Sequence, residues 1–403
     1  MWLANGHCGN SIPQFYKQFL PSTQRTGAST INRVLFNIFQ MLSPKTKRNI
    51  SRIIPFVVIW FIFSVVYTLL EKGLLGNLTY YPSTGNSYDF GRNIFATPIS
   101  ALITGLLIGT LEILYFNKWF IQKSFSKKLL LKSIIYLAII LFFLIIALIG
   151  TTSDLSTAIF NKEFWLHVWA FFTDYSFLSV IVYIAAIIIV LQFYNEVSES
   201  IGLGVLSNFF TGKYHNPIEE ERIYMFLDMK SSTTIAENLG HVKYFEMLKE
   251  YYSDLSDSII NYSGEIYQYV GDEIVVSWKL KNGLRNNSCI QCFFAMKEAI
   301  REQAGKYNDN FGLLPEFKAG FHLGKVTTGE IGVIKKEIIF TGDVLNTTAR
   351  IQGLCNKYNV DILISGDLIK LLDLNSQFQI KALGENVLRG RDEKVELFTI
   401  LSS

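Results

Sequence analysis

Four long apolar segments occupy the first half of the chain, at residues 53–70, 95–116, 129–150 and 177–194. Each provides roughly the eighteen or more apolar residues that a helix needs to cross a hydrocarbon layer of about 30 Å. A buried helix of a globular domain is normally shorter and carries a polar face. The pattern therefore predicts a domain of four transmembrane helices over residues 53–194.

The charges that flank these segments predict their orientation. Basic residues gather before the first segment and between the second and the third: Lys45, Lys47, Arg48, Arg52, Lys118, Lys123, Lys127 and Lys128. The other two loops are poor in lysine and arginine, so the positive-inside rule places the amino terminus and the second loop in the cytoplasm. An even number of crossings returns the chain to the same side. We therefore predict a multi-pass protein of the cell (inner or plasma) membrane, with a cytoplasmic segment over residues 1–52.

Two residues in this half bear on these predictions. Met41 stands just before the basic cluster and is an alternative start of the chain. Glu112 lies inside the second apolar segment, near its cytoplasmic end, and a carboxylate within a membrane is a candidate functional group. The interpretation that we favour is that this side chain reaches the membrane surface. The signal that the membrane domain senses is not indicated by the sequence.

Beyond the fourth segment the pattern changes from long apolar runs to short strands and helices. A connector over residues 195–221 begins as an extension of the fourth helix and then contains glycine and proline. From Arg222 the order is strand, helical region, hairpin, helix, two strands and helix, followed by three later strands. This β-α-β-β-α-β order predicts a ferredoxin-like α+β domain over residues 222–403, with an antiparallel-rich sheet covered by helices.

Composition supports this division and argues against one class of partner. Hydrophobic residues make up 50% of the chain and charged residues only 18%, whereas a soluble domain carries about 25% charge. The net charge of +3 gives no reason to expect nucleic acid as a partner. The pair Cys289 and Cys292 lies in a half-buried helical pattern, which favours two core thiols over a metal or redox site.

Two carboxylates mark the candidate chemistry of the second half. Asp228 ends an apolar strand, and the turn that follows it starts a helix. Asp272 lies at the tip of the hairpin EIYQYVGDEIVV. In a β-α-β-β unit both positions fall at one edge of the sheet, where two carboxylates can share a pair of Mg²⁺ ions beside the N–H groups of the helix. Taken alone, Asp228 and the serines after it would be read as helix caps.

Four motifs in this half resemble those of the class III nucleotidyl cyclases, the adenylate and guanylate cyclases. They are, in order, FLDMKSST, YVGDE, FKAGFHLGKV and FTGDVLNTTAR, and the resemblance extends from about Arg222 to Phe398. It implies a head-to-tail homodimer with active sites at the interface and two Mg²⁺ or Mn²⁺ ions in each site. It also implies a reaction in which the 3′-hydroxyl of a purine nucleoside triphosphate attacks its own α-phosphate, giving the 3′,5′-cyclic monophosphate and pyrophosphate.

The resemblance assigns roles to individual residues. Asn346 would orient the ribose, and Arg350, on the same helix face, would stabilise the charge that develops on the α-phosphate. The implied metal-binding residues are Asp228, Met229 and Asp272. The implied phosphate contacts are Ser231, Ser232, Thr233, Lys318 and Arg389, the last in place of the lysine that is usual in the family.

Two departures from the family pattern leave the choice of base open. Gln268 stands where adenylate-selective members carry lysine and guanylate-selective members carry glutamate, and Ile339 stands at the second base position. A glutamine amide can donate to adenine or accept from guanine, and Ile339 cannot discriminate by hydrogen bonding. We favour ATP as the substrate and keep GTP, in a guanylate cyclase of the same mechanism, as the alternative.

Three further functions are compatible with parts of the pattern. A diguanylate cyclase has a similar hairpin motif, but here Val270 replaces the first glycine of that motif. A catalytically silent, nucleotide-binding receptor would fit the unusual pair Gln268 and Ile339, although both aspartates and Arg350 are present. A transporter with a regulatory tail is disfavoured because the apolar segments hold hardly any charge and no helix breaks. The sequence predicts neither the basal activity nor its regulation.

Overall fold

The computed structural model describes residues 42–82, 87–116, 119–120, 124–150, 162–202, 205–374, 378–388 and 393–401. The alternative start Met41 and the predicted phosphate contact Arg389 lie outside the described residues. Residues 44–403 form one compact unit, which contains both the apolar helices and the α+β domain.

Long apolar helices make up the first half of this unit. The described helices are α1 (Pro44–Leu75), α2 (Phe90–Leu111), α3 (Phe125–Gly150), α4 (Lys162–Thr173) and α5 (Tyr175–Ile201), and α2 continues as a π-helical turn over Glu112–Phe116. Within the described part of the chain, three segments are long and apolar enough to cross a membrane: Pro44–Leu75, Phe90–Phe116 and Phe177–Ile201. These segments support membrane anchoring. Helix α3 occupies the place of the third predicted crossing, and the total of four crossings stays a prediction.

The helix bounds differ from the apolar segments at both ends of this half. Helix α1 begins at Pro44, so the basic residues before residue 53 are helical rather than part of a separate segment. Helix α5 continues past residue 194 to Ile201, as the predicted extension into the connector requires. The apolar pattern marks only the part of a helix that suits a hydrocarbon layer, because polar residues continue the same backbone hydrogen bonds beyond it.

Glu112 is a buried carboxylate among three helices, and the expectation that it reaches the membrane surface is wrong. The residue is only 1% exposed. Its carboxylate accepts hydrogen bonds from Lys132 and Tyr136 of α3 and from Asn195 Nδ2 of α5, the last at 3.2 Å. A buried charge is tolerated when a partner of opposite charge and further donors compensate it. Those partners come from distant parts of the chain, so the apolar pattern around Glu112 cannot reveal them.

The second half is an α+β domain that follows the short helix α6 (Val205–Thr211). Its strands are β1 (Ile218–Met229), β2 (Glu265–Val270), β3 (Glu273–Lys279), β4 (Phe317–Ile331), β5 (Glu337–Thr341), β6 (Ile362–Ser365), β7 (Gln379–Val387) and β8 (Lys394–Leu401). Its described helices are α7 (Ser232–Leu239), α8 (His241–Asn261), α9 (Leu280–Leu284), α10 (Ser288–Glu302), α11 (Ala304–Phe311), α12 (Asp343–Gly353), α13 (Cys355–Tyr358) and α14 (Gly366–Ile369), with a short 3₁₀ turn over Arg285–Asn287.

The strands form one sheet in the order β2-β3-β1-β4-β6-β8-β7, with β5 paired to β4. In the described part of the chain β4 and β6 pair in parallel and the other strand pairs are antiparallel, so the predicted antiparallel-rich sheet is confirmed. Two boundaries were predicted wrongly. Two strands were expected within residues 317–334, but a single fifteen-residue strand, β4, takes up most of that stretch. Strand β1 begins at Ile218, inside the predicted connector.

The sheet has a helix layer on each face because the side chains of β1 alternate between the faces. Ile223, Met225 and Leu227 belong to the main core, which includes residues of α8 and α10. Tyr224 and Phe226 belong to a smaller cluster with residues of α12. The two cysteines of α10, Cys289 and Cys292, are fully buried, as expected for core thiols.

Candidate active site

The register of the central strands brings the two aspartates together. In the antiparallel pair of β1 and β3, the last register partners are Leu227 and Ile274. The next residue on β1 is Asp228, and the turn that precedes β3 carries Asp272, so both carboxylates stand at one edge of the sheet. Gly271 adopts a φ of +63° in this turn, a conformation that costs a glycine little.

Asp228 lies half-buried between groups of opposite charge. Burial raises the pKa of Asp228, and the neighbouring Asp272 carboxylate raises it further. Lys318 opposes this shift, because its Nζ lies 3.3 Å from Asp228 Oδ2. The two residues are direct register partners on β1 and β4. The structure therefore joins three of the predicted site residues in one cluster.

The residues of this cluster fit a divalent cation. Asp272 Oδ2 is buried and has no hydrogen-bond partner among the described residues, and an unpaired buried carboxylate oxygen is costly. A cation between Asp228 and Asp272 would supply the missing partner and relieve the repulsion between them. Within the described ranges no three His, Cys, Asp or Glu side chains are placed to hold one metal ion together, so phosphate or water oxygens would complete the shell, as is usual for Mg²⁺.

Glu273 is a third acidic group beside the pair, and no role was predicted for it from the sequence. Burial raises its pKa to about 7, and the charges of Asp228 and Asp272 add to this effect. A carboxyl with this pKa is partly protonated near neutral pH. The hairpin tip thus carries two acidic groups: Asp272, whose carboxylate fits a cation, and Glu273, whose carboxyl group is partly protonated near neutral pH.

The turn after β1 leaves the start of α7 without a side-chain cap. Ser231 has a φ of +55°, and its side chain makes no capping hydrogen bond. Ser232 is half-buried and Thr233 is exposed. Capping by Ser231 is therefore not the reason for this motif, and the first N–H groups of α7 receive nothing from that side chain.

Asn346 and Arg350 both lie on α12, but the single chain does not join them to the aspartates. Asn346 is exposed and Arg350 is half-buried, and a separation of four residues places them on one face of the helix. Within the described ranges, neither side chain has a hydrogen bond or an ion pair to Asp228 or Asp272. This arrangement is the one that a site completed by a second chain would require.

Gln352 is a contact of Asp228 that the sequence analysis missed. Its Nε2 atom donates to Asp228 Oδ2 at 3.3 Å. It follows Arg350 by two residues and lies on the buried side of α12, with 7% of its surface exposed. Its closeness to Arg350 in the chain is the signal in the sequence that could have indicated it.

The two predicted base contacts, Gln268 and Ile339, lie on β2 and β5, and these strands are in contact through adjacent aromatic residues. Gln268 is an exposed residue of β2, the edge strand of the sheet, and Ile339 is a half-buried residue of β5. The adjacent residues Tyr267 and Phe340 pack with ring centroids 4.9 Å apart. Gln268 and Ile339 are therefore held near the same part of the domain, although no described contact joins them.

Comparison with known proteins shows what the α+β domain is similar to. Residues 215–402 match the family model of the adenylate and guanylate cyclase catalytic domain. Adenylate cyclase 2 of Rhizobium meliloti (strain 1021) is 34% identical over 223 residues, which cover 55% of this chain and 61% of that protein. The adenylate cyclase of Anabaena cylindrica is 24% identical over 44% of this chain and 36% of that protein.

The chain thus spans less than two thirds of the length of these two relatives. Among solved structures, the crystal structure of an adenylyl cyclase from P. aeruginosa aligns with 47% of this chain and 97% of that chain, at 19% identity and a TM-score of 0.42.

Proposed function

We propose that this protein is a membrane-bound adenylate cyclase that converts ATP to 3′,5′-cyclic AMP and pyrophosphate in signal transduction. The observation that carries the proposal is the pair Asp228 and Asp272 at one edge of the sheet, with Lys318 3.3 Å from Asp228. This pair lies in a domain that matches the cyclase family model. The relative from R. meliloti, which is named an adenylate cyclase, favours ATP over GTP.

The residues of the site divide the chemical work. Asp228 and Asp272 would hold two Mg²⁺ or Mn²⁺ ions, which when bound make the 3′-hydroxyl more acidic and neutralise phosphate charge. Arg350 supplies a forked donor for the oxygen on which charge develops at the α-phosphate. Asn346 orients the ribose. The phosphates would be bound by Lys318, Arg389 and the turn over Ser231, Ser232 and Thr233.

A homodimer would complete the site. Among the described residues of one chain, no hydrogen bond or ion pair joins Arg350 to the aspartates. A head-to-tail pair of identical chains would bring the Asn346/Arg350 helix of each chain to the aspartates of the other. We expect Asp228→Ala and Arg350→Ala chains, each inactive alone, to regain part of the activity when they are mixed. Dimers that form but show no rescue would contradict a site at the interface.

The substrate is tested by supplying labelled ATP and labelled GTP separately to the purified protein with Mg²⁺ or Mn²⁺. We expect cyclic AMP from ATP and a smaller yield of cyclic GMP, because the Gln268 amide can pair with either base. Absence of cyclic product from both nucleotides would exclude the proposed activity and favour a silent nucleotide-binding receptor. Preferred use of GTP would make the protein a guanylate cyclase with the same mechanism.

The membrane half is proposed to anchor and regulate the enzyme. Four crossings would place both the amino terminus and the cyclase domain in the cytoplasm, in line with the basic residues in the first turns of α1. The connector is seated on the cyclase domain: the backbone N–H of Glu330 donates to the carbonyl of Tyr214 at 3.0 Å, and Lys336 lies over the ring of Phe209 at 5.6 Å.

These contacts offer a route from α5 through the connector to β4 and β5, and from there to the dimer interface. Replacing residues 1–194 by a soluble dimerising domain should preserve basal turnover and abolish regulation. Loss of turnover in a folded dimer would show that the membrane half is needed for more than regulation.

A further inference from the structure

The end of α12 makes direct contact with the carboxylate of Asp228. Gln352 Nε2 donates to Asp228 Oδ2 at 3.3 Å, and Lys318 Nζ lies 3.3 Å from the same oxygen. One oxygen of Asp228 therefore receives two donors from the protein. The other oxygen, Oδ1, is not engaged by either of these donors.

The place of Gln352 is fixed by its backbone as well as by its side chain. A Cβ atom added to Gly320 of β4 would lie 2.4 Å from the backbone nitrogen of Gln352 and 2.7 Å from its Cα. The absence of a side chain at Gly320 thus lets the last turn of α12 rest directly on the sheet. With only 7% of its surface exposed, Gln352 has little freedom to leave this position.

An amide is a suitable donor at this point because it carries no charge. Lys318 already supplies one positive charge to Asp228, and a second cationic side chain would repel a metal ion at the same carboxylate. A neutral donor fixes the carboxylate without that repulsion. Groups that orient a metal-binding side chain in this way commonly affect metal affinity by about 10–100-fold when they are changed.

We infer that Gln352 is a positioning residue, which holds the Asp228 carboxylate in the orientation that binds the metal ion. The inference rests on the proposed function, since it assumes that Asp228 binds a metal ion. It assigns to α12 two separate tasks: Gln352 serves the aspartate of its own chain, whereas Asn346 and Arg350 serve the nucleotide of the partner chain.

Metal binding can be measured without turnover. The full-length protein in detergent is titrated with Mn²⁺ in the presence of a non-cyclisable ATP analogue, and free Mn²⁺ is followed by electron paramagnetic resonance. Gln352→Met, which has a similar length but no donor, should bind Mn²⁺ about 10–100-fold more weakly than the wild type. Mn²⁺ affinity equal to that of the wild type would overturn the inference.

Two further variants separate positioning from a merely structural role. Thr348→Val removes a buried hydroxyl of the same helix that bonds to the Val344 carbonyl at 2.6 Å, and we expect its Mn²⁺ affinity to be that of the wild type. If Gln352→Met does not fold, Gln352→Leu also removes the donor and adds no charge beside the metal site. Its Mn²⁺ affinity should also fall, and an affinity equal to or tighter than that of the wild type would overturn the inference.

Mixed dimers identify the aspartate on which Gln352 acts. When Asp228→Ala and Arg350→Ala chains are combined, the one complete site takes its aspartates from the Arg350→Ala chain. Adding Gln352→Met to that chain should raise the Mn²⁺ concentration needed for half-maximal turnover by about 10–100-fold. Adding it to the Asp228→Ala chain should leave that concentration unchanged, and the reverse pattern would contradict the assignment.

These outcomes are distinct from those that test the proposed function. If the wild type forms no cyclic nucleotide yet Gln352→Met weakens Mn²⁺ binding, the proposed activity fails and the inference about Gln352 stands. If the wild type is active and Gln352→Met binds Mn²⁺ as the wild type does, the inference fails and the proposed activity stands.

Discussion

Helix α12 rests on β4 at Gly320, and we expect substitution of this glycine to lower the stability of the protein. In Gly320→Ala the new methyl group would lie 2.4 Å from the backbone nitrogen of Gln352, whereas an ordinary contact begins at 3.4 Å. The difference of about 1 Å must come from movement of the helix or the strand, because the clashing atoms belong to the backbone. Overpacking of this kind costs about 1–3 kcal/mol of the free energy of unfolding.

The same movement should also lower the turnover of the enzyme. Helix α12 carries Asn346 and Arg350, and a displacement of about 1 Å in a catalytic group can reduce turnover by about 100-fold. We expect the midpoint of thermal unfolding, followed by intrinsic fluorescence, to fall by about 2–12 °C. Turnover of ATP measured well below that midpoint should fall by about 100-fold.

Gly353→Ala is the matched control on the same helix. A Cβ atom at Gly353 would meet no atom within 4 Å, so its thermal midpoint should equal or slightly exceed that of the wild type. A Gly320→Ala variant with the midpoint and turnover of the wild type would refute the reasoning, because α12 could not then rest on β4 at Gly320.

Three further predictions concern charge. Lys132→Met leaves the buried Glu112 carboxylate without its cation and should lower the free energy of unfolding in detergent by about 3–5 kcal/mol. Adding Glu112→Gln to this variant should recover part of that loss. A double variant no more stable than Lys132→Met alone would contradict the buried pair. Glu273 has a pKa raised from 4.5 to about 7, so the folded metal-free protein should lose stability as the pH rises from about 4.5 to 7, and Glu273→Gln should flatten this dependence of the unfolding midpoint. Removing divalent ions with EDTA should abolish cyclic product and adding Mn²⁺ should restore it in the wild type, whereas no restoration is expected in Asp272→Asn.

Lys318 illustrates why a motif position and a role are different findings. The resemblance implies a phosphate contact, yet in the structure its ammonium pairs with Asp228 and donates to Asn356 Oδ1 at 3.2 Å. A metal ion at Asp228 would compete with Lys318 for the carboxylate. In the structure Lys318 is thus a partner of Asp228, and its contact with a phosphate stays a prediction.

The sequence by itself determined the division of this protein into long apolar helices and an α+β domain, and it predicted the candidate metal-binding pair. Long apolar runs indicate membrane helices, because a bilayer of fixed thickness imposes a length and a composition that are visible locally. Alternating short elements predict the antiparallel-rich sheet, and the positions of Asp228 and Asp272 at a strand end and a hairpin tip predict that they meet. Each of these features follows from the order of residues within short segments, so it can be predicted from the sequence alone.

Tertiary structure alone decided which distant groups share a buried environment. Glu112 is balanced by Lys132, Tyr136 and Asn195 from other helices, and Asp228 is held by Gln352, which lies far from it in the chain. No local pattern distinguishes a buried charge with partners from a charge that reaches the surface. The cost of burying a polar group depends on what surrounds it in space, and only the packed structure fixes those surroundings.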